Sequence, residues 1–311
     1  MMEQNKRKDK NNEEVVEKRH LSQSQLSMYM SCPLSYKYRY IDGLKIPPRS
    51  YLTMGSTFHA TLEKNYSQKI ESHEDLKMDD MTGIFSSEFN SRKEDTEWKA
   101  DEDSGKMKDH GIKIIETYHE KVSPIVQPTM VEKKYSIEFE DIPIFDDNGH
   151  VVDKKPFPFT FMSIIDLVDD NETIVDHKFQ KMRKRPSELI TDMQLTAYAM
   201  AYRQITGKRE KALRFDVIIK NQAPCIESYI THRTDADIAG LLKIMSIVYG
   251  LIDDEVFYPN PKNTFCSENT CGYWNICRKE WWKNDSSCIS KIKEIVNDDK
   301  KFVRNYIDFT K

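Results

Sequence analysis

The stretch SIIDLVDDNETIVDHK, residues 163–178, sets two acids in matching surroundings. Asp166 follows Ile164 and Ile165 and precedes Leu167 and Val168, and ten residues on Asp176 follows Thr173, Ile174 and Val175. Apolar and β-branched runs on either side of a short polar turn at Asp169–Glu172 read as two strands of a hairpin. A carboxylate amid apolar residues is costly without a partner. Cross-strand pairing would bring the two like charges close, which is unfavourable unless a cation sits between them. Mg²⁺ takes oxygen ligands, usually one or two carboxylates with several waters, and suits such a pair. Lys178 shares a face with Asp176 because side chains alternate along a strand. An ammonium there can orient a metal-activated water or stabilise charge on a phosphoryl group. The plain alternative is two turn-proximal acids with Lys178 as their salt-bridge partner, and Asp-x-Lys alone is too common to choose.

Working outward, KMRKRP at 181–186 is a basic run in which Lys181, Arg183, Lys184 and Arg185 could hold a phosphate backbone without reading sequence. A solvated loop is the ordinary reading of such a run. The spacing then predicts one amphipathic helix over 187–206, ending at Gly207. It places Gln194 and Tyr198 four apart on one face. ALRFDVIIK and CIESYITHR read as strands around a turn at 221–224, and a helix follows near ADIAGLLKIMSIVYGLI. Upstream, MVEKKYSIEFED alternates as a strand. Glu132 within it reads as a surface-strand acid. Residues 50 to 122 are helical and polar; TMGSTFHATLEKNY puts Gly55, His59 and Glu63 at four-residue steps, so His59 and Glu63 share a face. LSQSQLSMYMSC reads as a short helix capped by Ser22 or Ser24, and Pro33 forces a bend at Cys32. The order of helices, strands, helix, strands and helix gives a mixed α/β core.

The chain has 311 residues, 32% of them charged, and a net charge of −4, so contact with nucleic acid must come from a local basic patch. Residues 1–20 are almost wholly charged and polar and are expected to be a disordered tail. No apolar run is long enough for a signal sequence or a membrane span, so a soluble, cytoplasmic protein without membrane contact is expected. The sequence carries no G-x-x-x-x-G-K-[ST] phosphate loop, no H-E-x-x-H and no G-x-S-x-G. A lysine two residues after an acid, with more basic residues beyond, also argues against a glycosidase built on paired carboxylates.

Taken together, SQSQLSMYMSCPLSYKYRYIDGL, MGSTFHATLE, SIIDLVDDNETIVDHK and QLTAYAMAY occur in an order that resembles the RecB-like branch of the PD-(D/E)XK nuclease superfamily. The resemblance spans about residues 21 to 202, and a cysteine cluster carries it to about 280. It implies a restriction-endonuclease-like mixed β-sheet flanked by helices. Residues 50–125 would be a helical insertion, 128–233 the catalytic core and 259–282 a cysteine region, within a domain of 21–285 followed by a helical tail at 286–311. It also implies DNA cleavage with Mg²⁺ or Mn²⁺. His59, Asp166 and Asp176 would be metal ligands, with the backbone carbonyl of His177 as a further one. Lys178 would be the catalytic lysine, and Gln194 and Tyr198 would support the active site and contact DNA. Two departures concern substrate preference: Ser163 where relatives often carry Gly, and His177 and Phe179 where Tyr and Thr are common. Relatives act in DNA repair and recombination, phage DNA metabolism and CRISPR spacer acquisition, on single strands or duplex ends, some beside a helicase or other recombination protein. The alternative function is a non-catalytic nucleic-acid-binding module stabilised by its cysteines.

Six cysteines occur, and Cys266, Cys271 and Cys277 fall within CSENTCGYWNIC. In a large chain without a secretion signal, such clustering favours metal ligation over disulfides. Spacing alone allows a structural Zn²⁺ site. The resemblance implies instead a 4Fe–4S cluster held by Cys32 and the three loop cysteines. Cys225 and Cys288 are expected to be free thiols. Tyr36, Tyr38 and Tyr40, alternating with Lys37 and Arg39, would either stack on bases or pack around the cluster.

Overall fold

A computed structural model describes residues 6–8, 14–16, 20–146, 150–180, 183–219 and 225–282. They divide into two compact units, one from residues up to Ser27 with Pro47–Glu255, the other from Met28–Ile46 with residues from Val256 on. Within the charged N-terminal stretch, β1 (Lys6–Lys8) and β2 (Glu14–Val16) pair antiparallel. Cys288 and the expected tail at 286–311 lie outside the described residues.

In the larger unit, β3 (His20–Ser22) leads into α1 (Gln23–Ser31), whose residues from Met28 on are counted in the smaller unit, and the Ser22 side chain accepts from the Gln25 N–H at 3.3 Å. The helical insertion forms α3 (Ser50–Ser72), α4 (Met78–Lys93) and α5 (Ser104–Lys121), with Asp103 capping α5 through the Lys106 N–H. Then come β4 (Pro128–Phe145), β5 (Val151–Asp169) and β6 (Thr173–Gln180). The predicted hairpin of β5 and β6 is present and antiparallel. After β6 the chain runs through α6 (Pro186–Ile190), α7 (Met193–Thr206), β7 (Ala212–Ile219), β8 (Cys225–Thr231) and α8 (Asp235–Asp253).

The single helix predicted over 187–206 is broken. Asp192 turns its carboxylate to the Leu195 N–H at 2.9 Å and caps α7. A short acidic side chain that bonds the next turn's backbone starts a helix rather than continuing one. Gly207 ends α7 as expected, at φ 68°, which costs a residue without Cβ nothing.

β5 organises the sheet. β4 pairs along it antiparallel, while its other edge is shared by β3, parallel at Thr160–Met162, and by β6. β6 continues parallel to β7, and β7 pairs antiparallel with β8. The sheet is therefore mixed. On one face Phe58, Leu62 and Tyr66 of α3, Phe85 and Phe89 of α4 and Ile114, Ile115 and Tyr118 of α5 pack against Leu167, Val175 and Ile218. Burying such side chains contributes about 1.5–3 kcal/mol each. α7 lies on the face that carries Asp166 and Lys178. Among the described residues no helix is long and apolar enough to cross a membrane.

The smaller unit gathers α2 (Pro33–Tyr36), a π-helical turn at Lys37–Ile41, and the cysteine region. The loop expected at 259–282 is in part helical, because Trp274–Trp281 forms α9. Cys32 is extended, at φ −160°, as Pro33 dictates. The Tyr38 hydroxyl donates to Glu280 and that of Tyr273 to the Leu44 carbonyl. Tyr36 and Tyr38 are buried, so packing, not base stacking, is their observed role.

Candidate active site

The two acids of the hairpin stand where it opens. β5 and β6 pair only at Leu167↔Val175 and Val168↔Ile174. One step further, Asp166 and Asp176 face each other past the last pair, while β6 stays paired with β7 on its other edge along its whole length. The His177 N–H, no longer used by β5's backbone, donates to Asp166 Oδ2 at 3.0 Å. Tyr198 on α7 donates to Asp166 Oδ1 at 3.0 Å. His59, from the middle of α3, places Nδ1 3.5 Å from Asp166 Oδ2.

Asp176 is fully buried. Lys178 Nζ lies 3.1 Å from its Oδ1 and 2.9 Å from its Oδ2. The second contact is an ion pair without hydrogen-bond geometry, so Oδ2 is buried with no hydrogen-bond partner. Lys178 also donates to Gln194 Oε1, and Gln194 Nε2 donates to Tyr198 Oη at 2.8 Å. A chain of side chains thus runs from Asp176 through Lys178, Gln194 and Tyr198 to Asp166.

Burial pushes Asp176 up to about 7, with Asp166 adding to the rise and Lys178 and His59 opposing it. For His59 burial disfavours the charge, but Glu132, Asp166 and Asp176 outweigh it and lift the group to about 9. Burial pushes His177 down to about 4, so its imidazole is neutral. Lys178 is raised, since Asp176 and Asp166 outweigh its desolvation. Two facing carboxylates, a buried oxygen without a hydrogen bond and a nearby imidazole fit a divalent cation. Single donor atoms of His59, Asp166 and His177 all lie within 4.8 Å of one another. Asp176 instead turns its carboxylate to Lys178.

Glu132 is more than a surface acid. It sits between Val131 and Lys133, which pair with Leu167 and Ile165, and adopts φ 43°, strained for a residue with a Cβ. Its Oε1 lies 3.8 Å from His59 Nδ1. Glu63, by contrast, is exposed.

The described part of the basic run is paired with acids rather than free. Arg183 contacts Glu227 at 2.8 Å, Lys184 lies 3.7 Å from Asp192 and over the Phe215 ring, and Arg185 bonds Glu188 at 2.6 Å. Lys181 lies outside the described residues. The thiols of Cys32, Cys266, Cys271 and Cys277 all fall in the smaller unit. Burial raises Cys271 and Cys277, and the neighbouring cysteines raise both further. Among the described residues, however, the three-ligand group is the one at His59, not one of cysteines.

Sequence reading missed Tyr118 and Tyr66, which reach His177 from α5 and α3. Tyr118 Oη is 2.8 Å from His177 Nε2 and 3.0 Å from Tyr66 Oη. No spacing rule links two tyrosines on separate helices, so the only available signal was their place on apolar helical faces.

The family model described as the PD-(D/E)XK nuclease superfamily matches residues 20–278. No curated protein matches the sequence. Among solved structures, a provisionally named exonuclease from Eubacterium rectale aligns at 15% identity and TM-score 0.48, covering 84% of this chain and 88% of that one. The structure of SSO0001 aligns at 11% identity and TM-score 0.34, covering 83% and 93%.

Proposed function

We propose that this chain, which belongs to the PD-(D/E)XK nuclease superfamily, is a metal-dependent DNA exonuclease of the RecB-like branch. Its mixed sheet flanked by helices is the restriction-endonuclease-like fold. The observation that carries the reading is the meeting of Asp166, Asp176 and Lys178 where β5 and β6 part, with a buried Asp176 oxygen that makes an ion pair with Lys178 but no hydrogen bond. His59, Asp166 and Asp176 would hold Mg²⁺ or Mn²⁺, together with the His177 carbonyl.

A divalent ion bound there supplies a water acidified for attack on phosphorus. The chain's own groups do the rest. Lys178, held between Asp176 and Gln194, offers its ammonium to the charge that grows on the phosphoryl oxygens. Tyr198 fixes Asp166 by its hydroxyl and, through Gln194, ties that acid to the position of Lys178. Exonucleolytic action, on single strands or duplex ends, comes from the motif resemblance, as do a helicase or other recombination partner and a role in repair, recombination, phage DNA metabolism or CRISPR adaptation.

Four cysteines in one compact unit suit, in kind, the Cys₄ set of a 4Fe–4S cluster, with structural Zn²⁺ as the alternative. Absorbance near 400 nm in anaerobically purified protein supports iron; colourless protein with stoichiometric zinc overturns it.

The deciding experiment incubates end-labelled single- and double-stranded DNA with Mg²⁺ or Mn²⁺, comparing the wild type with Lys178→Ala. A ladder from the wild type alone supports the exonuclease. A single internal cut would make it an endonuclease. Retention of DNA without any cleavage would favour the binding module.

A further inference from the structure

The side chain of His177 has a setting that its expected role, through a backbone carbonyl, does not explain. It projects from β6 to the face covered by α3 and α5. The Tyr66 ring lies nearly parallel to it at 6.2 Å, and the Tyr118 ring meets it at 5.7 Å and 69°. Its Nε2 is 2.8 Å from Tyr118 Oη. Its Nδ1 faces Asp166 Oδ2 at 3.8 Å, too long for a hydrogen bond.

Tyr118 Oη is the partner of Nε2 and itself lies 3.0 Å from Tyr66 Oη, so Nδ1 is the ring nitrogen left facing the carboxylate. With Tyr118 accepting from Nε2–H, Nδ1 presents its lone pair to Asp166 Oδ2. Two electron-rich atoms so placed repel, and a cation between them would join them.

We propose that His177 binds the metal through its imidazole Nδ1, which makes the centre a two-imidazole site that prefers a first-row transition ion to Mg²⁺. The inference rests on the metal-dependent reading above. Mg²⁺ favours oxygen ligands and retains its waters, whereas imidazole suits the later divalent ions. The donor atoms of His59, Asp166 and His177 within 4.8 Å of one another give the grouping that such an ion needs. Tyr118 and Tyr66 are positioning residues: the Tyr118 hydroxyl on Nε2 and the two rings against the imidazole set its orientation, as partners behind a metal-bound histidine commonly do.

The test adds Mn²⁺ to the full chain, counts coupled ¹⁴N nuclei by electron spin-echo modulation, and measures affinity from the free-ion resonance, with Mg²⁺ measured by competition. Wild type should show two imidazole nitrogens and His177→Ala one, with Mn²⁺ affinity down about 10- to 100-fold and Mg²⁺ affinity changed little. Tyr118→Phe keeps the ring but removes the acceptor of its proton, and should weaken Mn²⁺ about 10-fold. His59→Ala should retain one nitrogen, which decides the matter if His177→Ala does not fold. One nitrogen in the wild type, or none in His59→Ala, overturns the His177 assignment while leaving the metal site in place. Mn²⁺ binding that survives Asp166→Asn overturns the site itself.

Discussion

Lys178 Nζ lies 2.9 Å from Oδ2 of Asp176 and 3.1 Å from its Oδ1, so one ammonium spans both oxygens of the fully buried acid. Held there before any cation arrives, Lys178 partly balances a charge that the metal would otherwise have to itself. Lys178→Ala should therefore separate two properties. DNA cleavage falls about 10²–10³-fold with loss of the charge-stabilising group, while Mn²⁺ binds at least as tightly as before, because its competitor for Asp176 is gone. Single-turnover cleavage and a Mn²⁺ titration check both halves. Equal losses in the two would assign Lys178 to holding the site together, not to catalysis.

The tie between Asp166 and α7 is a single hydroxyl. Tyr198→Phe removes the 3.0 Å bond to Asp166 Oδ1 and the acceptor of Gln194 with almost no change of volume. Metal affinity or cleavage is expected to drop about 10- to 100-fold, as for other groups that orient metal ligands. Thermal melting should change by far less than these functional readouts. A melt that collapses while the residual folded fraction works normally would show Tyr198 to be a packing residue.

Proton release should accompany metal binding. Asp176, with its usual 3.8 raised to about 7, and His59, raised from 6.5 to about 9, hold protons in the metal-free protein that a ligand must give up. Mn²⁺ affinity should rise from about pH 6 to about pH 9, and calorimetry in buffers of different ionisation enthalpy should count the protons. Stability of the metal-free protein runs the other way. The Asp176 contribution is full below about pH 4 and lost as pH rises through about 7; that of His59 is full below about pH 6.5 and lost through about 9. Melting in chelator should therefore be lower at pH 9 than at pH 6 through these two groups, and metal should restore more at the higher pH.

Two glycines of the helical insertion should respond oppositely to alanine. At Gly111 a Cβ would lie 2.2 Å from the Phe85 ring tip and 2.8 Å from the end of Met54, both buried. Gly111→Ala should cost about 1–3 kcal/mol by overpacking. At Gly83, exposed on α4, a Cβ meets nothing within 4 Å. Gly83→Ala should stabilise by up to about 1 kcal/mol through helix propensity. Denaturant titration of both variants is sufficient, and a Gly111→Ala protein as stable as wild type would contradict the packing of α5 on α4.

Much of this was legible in the sequence wherever periodicity carried it. The hairpin of residues 163–178, α7 ending at Gly207 and the helical run after residue 50 follow from apolar spacing and turn chemistry. Local rules also put Asp176 and Lys178 on one side of β6. What spacing could not convey was competition between local and tertiary demands. Asp192 splits a helix that apolar periodicity would continue. Glu132 accepts a left-handed backbone, which alternation along β4 gives no reason to expect. The basic run is unbroken in the sequence, yet Glu227, Asp192 and Glu188 come to its described members from three separate elements. Tyr118 and Tyr66 reach His177 only because α5 and α3 pack on the same face of the sheet.

The smaller unit has a consequence for how the protein is made. It joins Met28–Ile46 to residues from Val256 on, so Pro47–Glu255 is threaded between its two halves in sequence. As the chain leaves the ribosome, Pro47–Glu255 is complete while Leu34 and Tyr38 still lack Tyr258 and Tyr273, the residues they pack against or bond. Domains fold as units as they emerge, so the larger unit can fold first and the smaller one is completed last. A nascent chain stalled before Tyr273 would display an assembled sheet with the smaller unit incomplete, its apolar Leu34 and Tyr38 left for chaperones to shield.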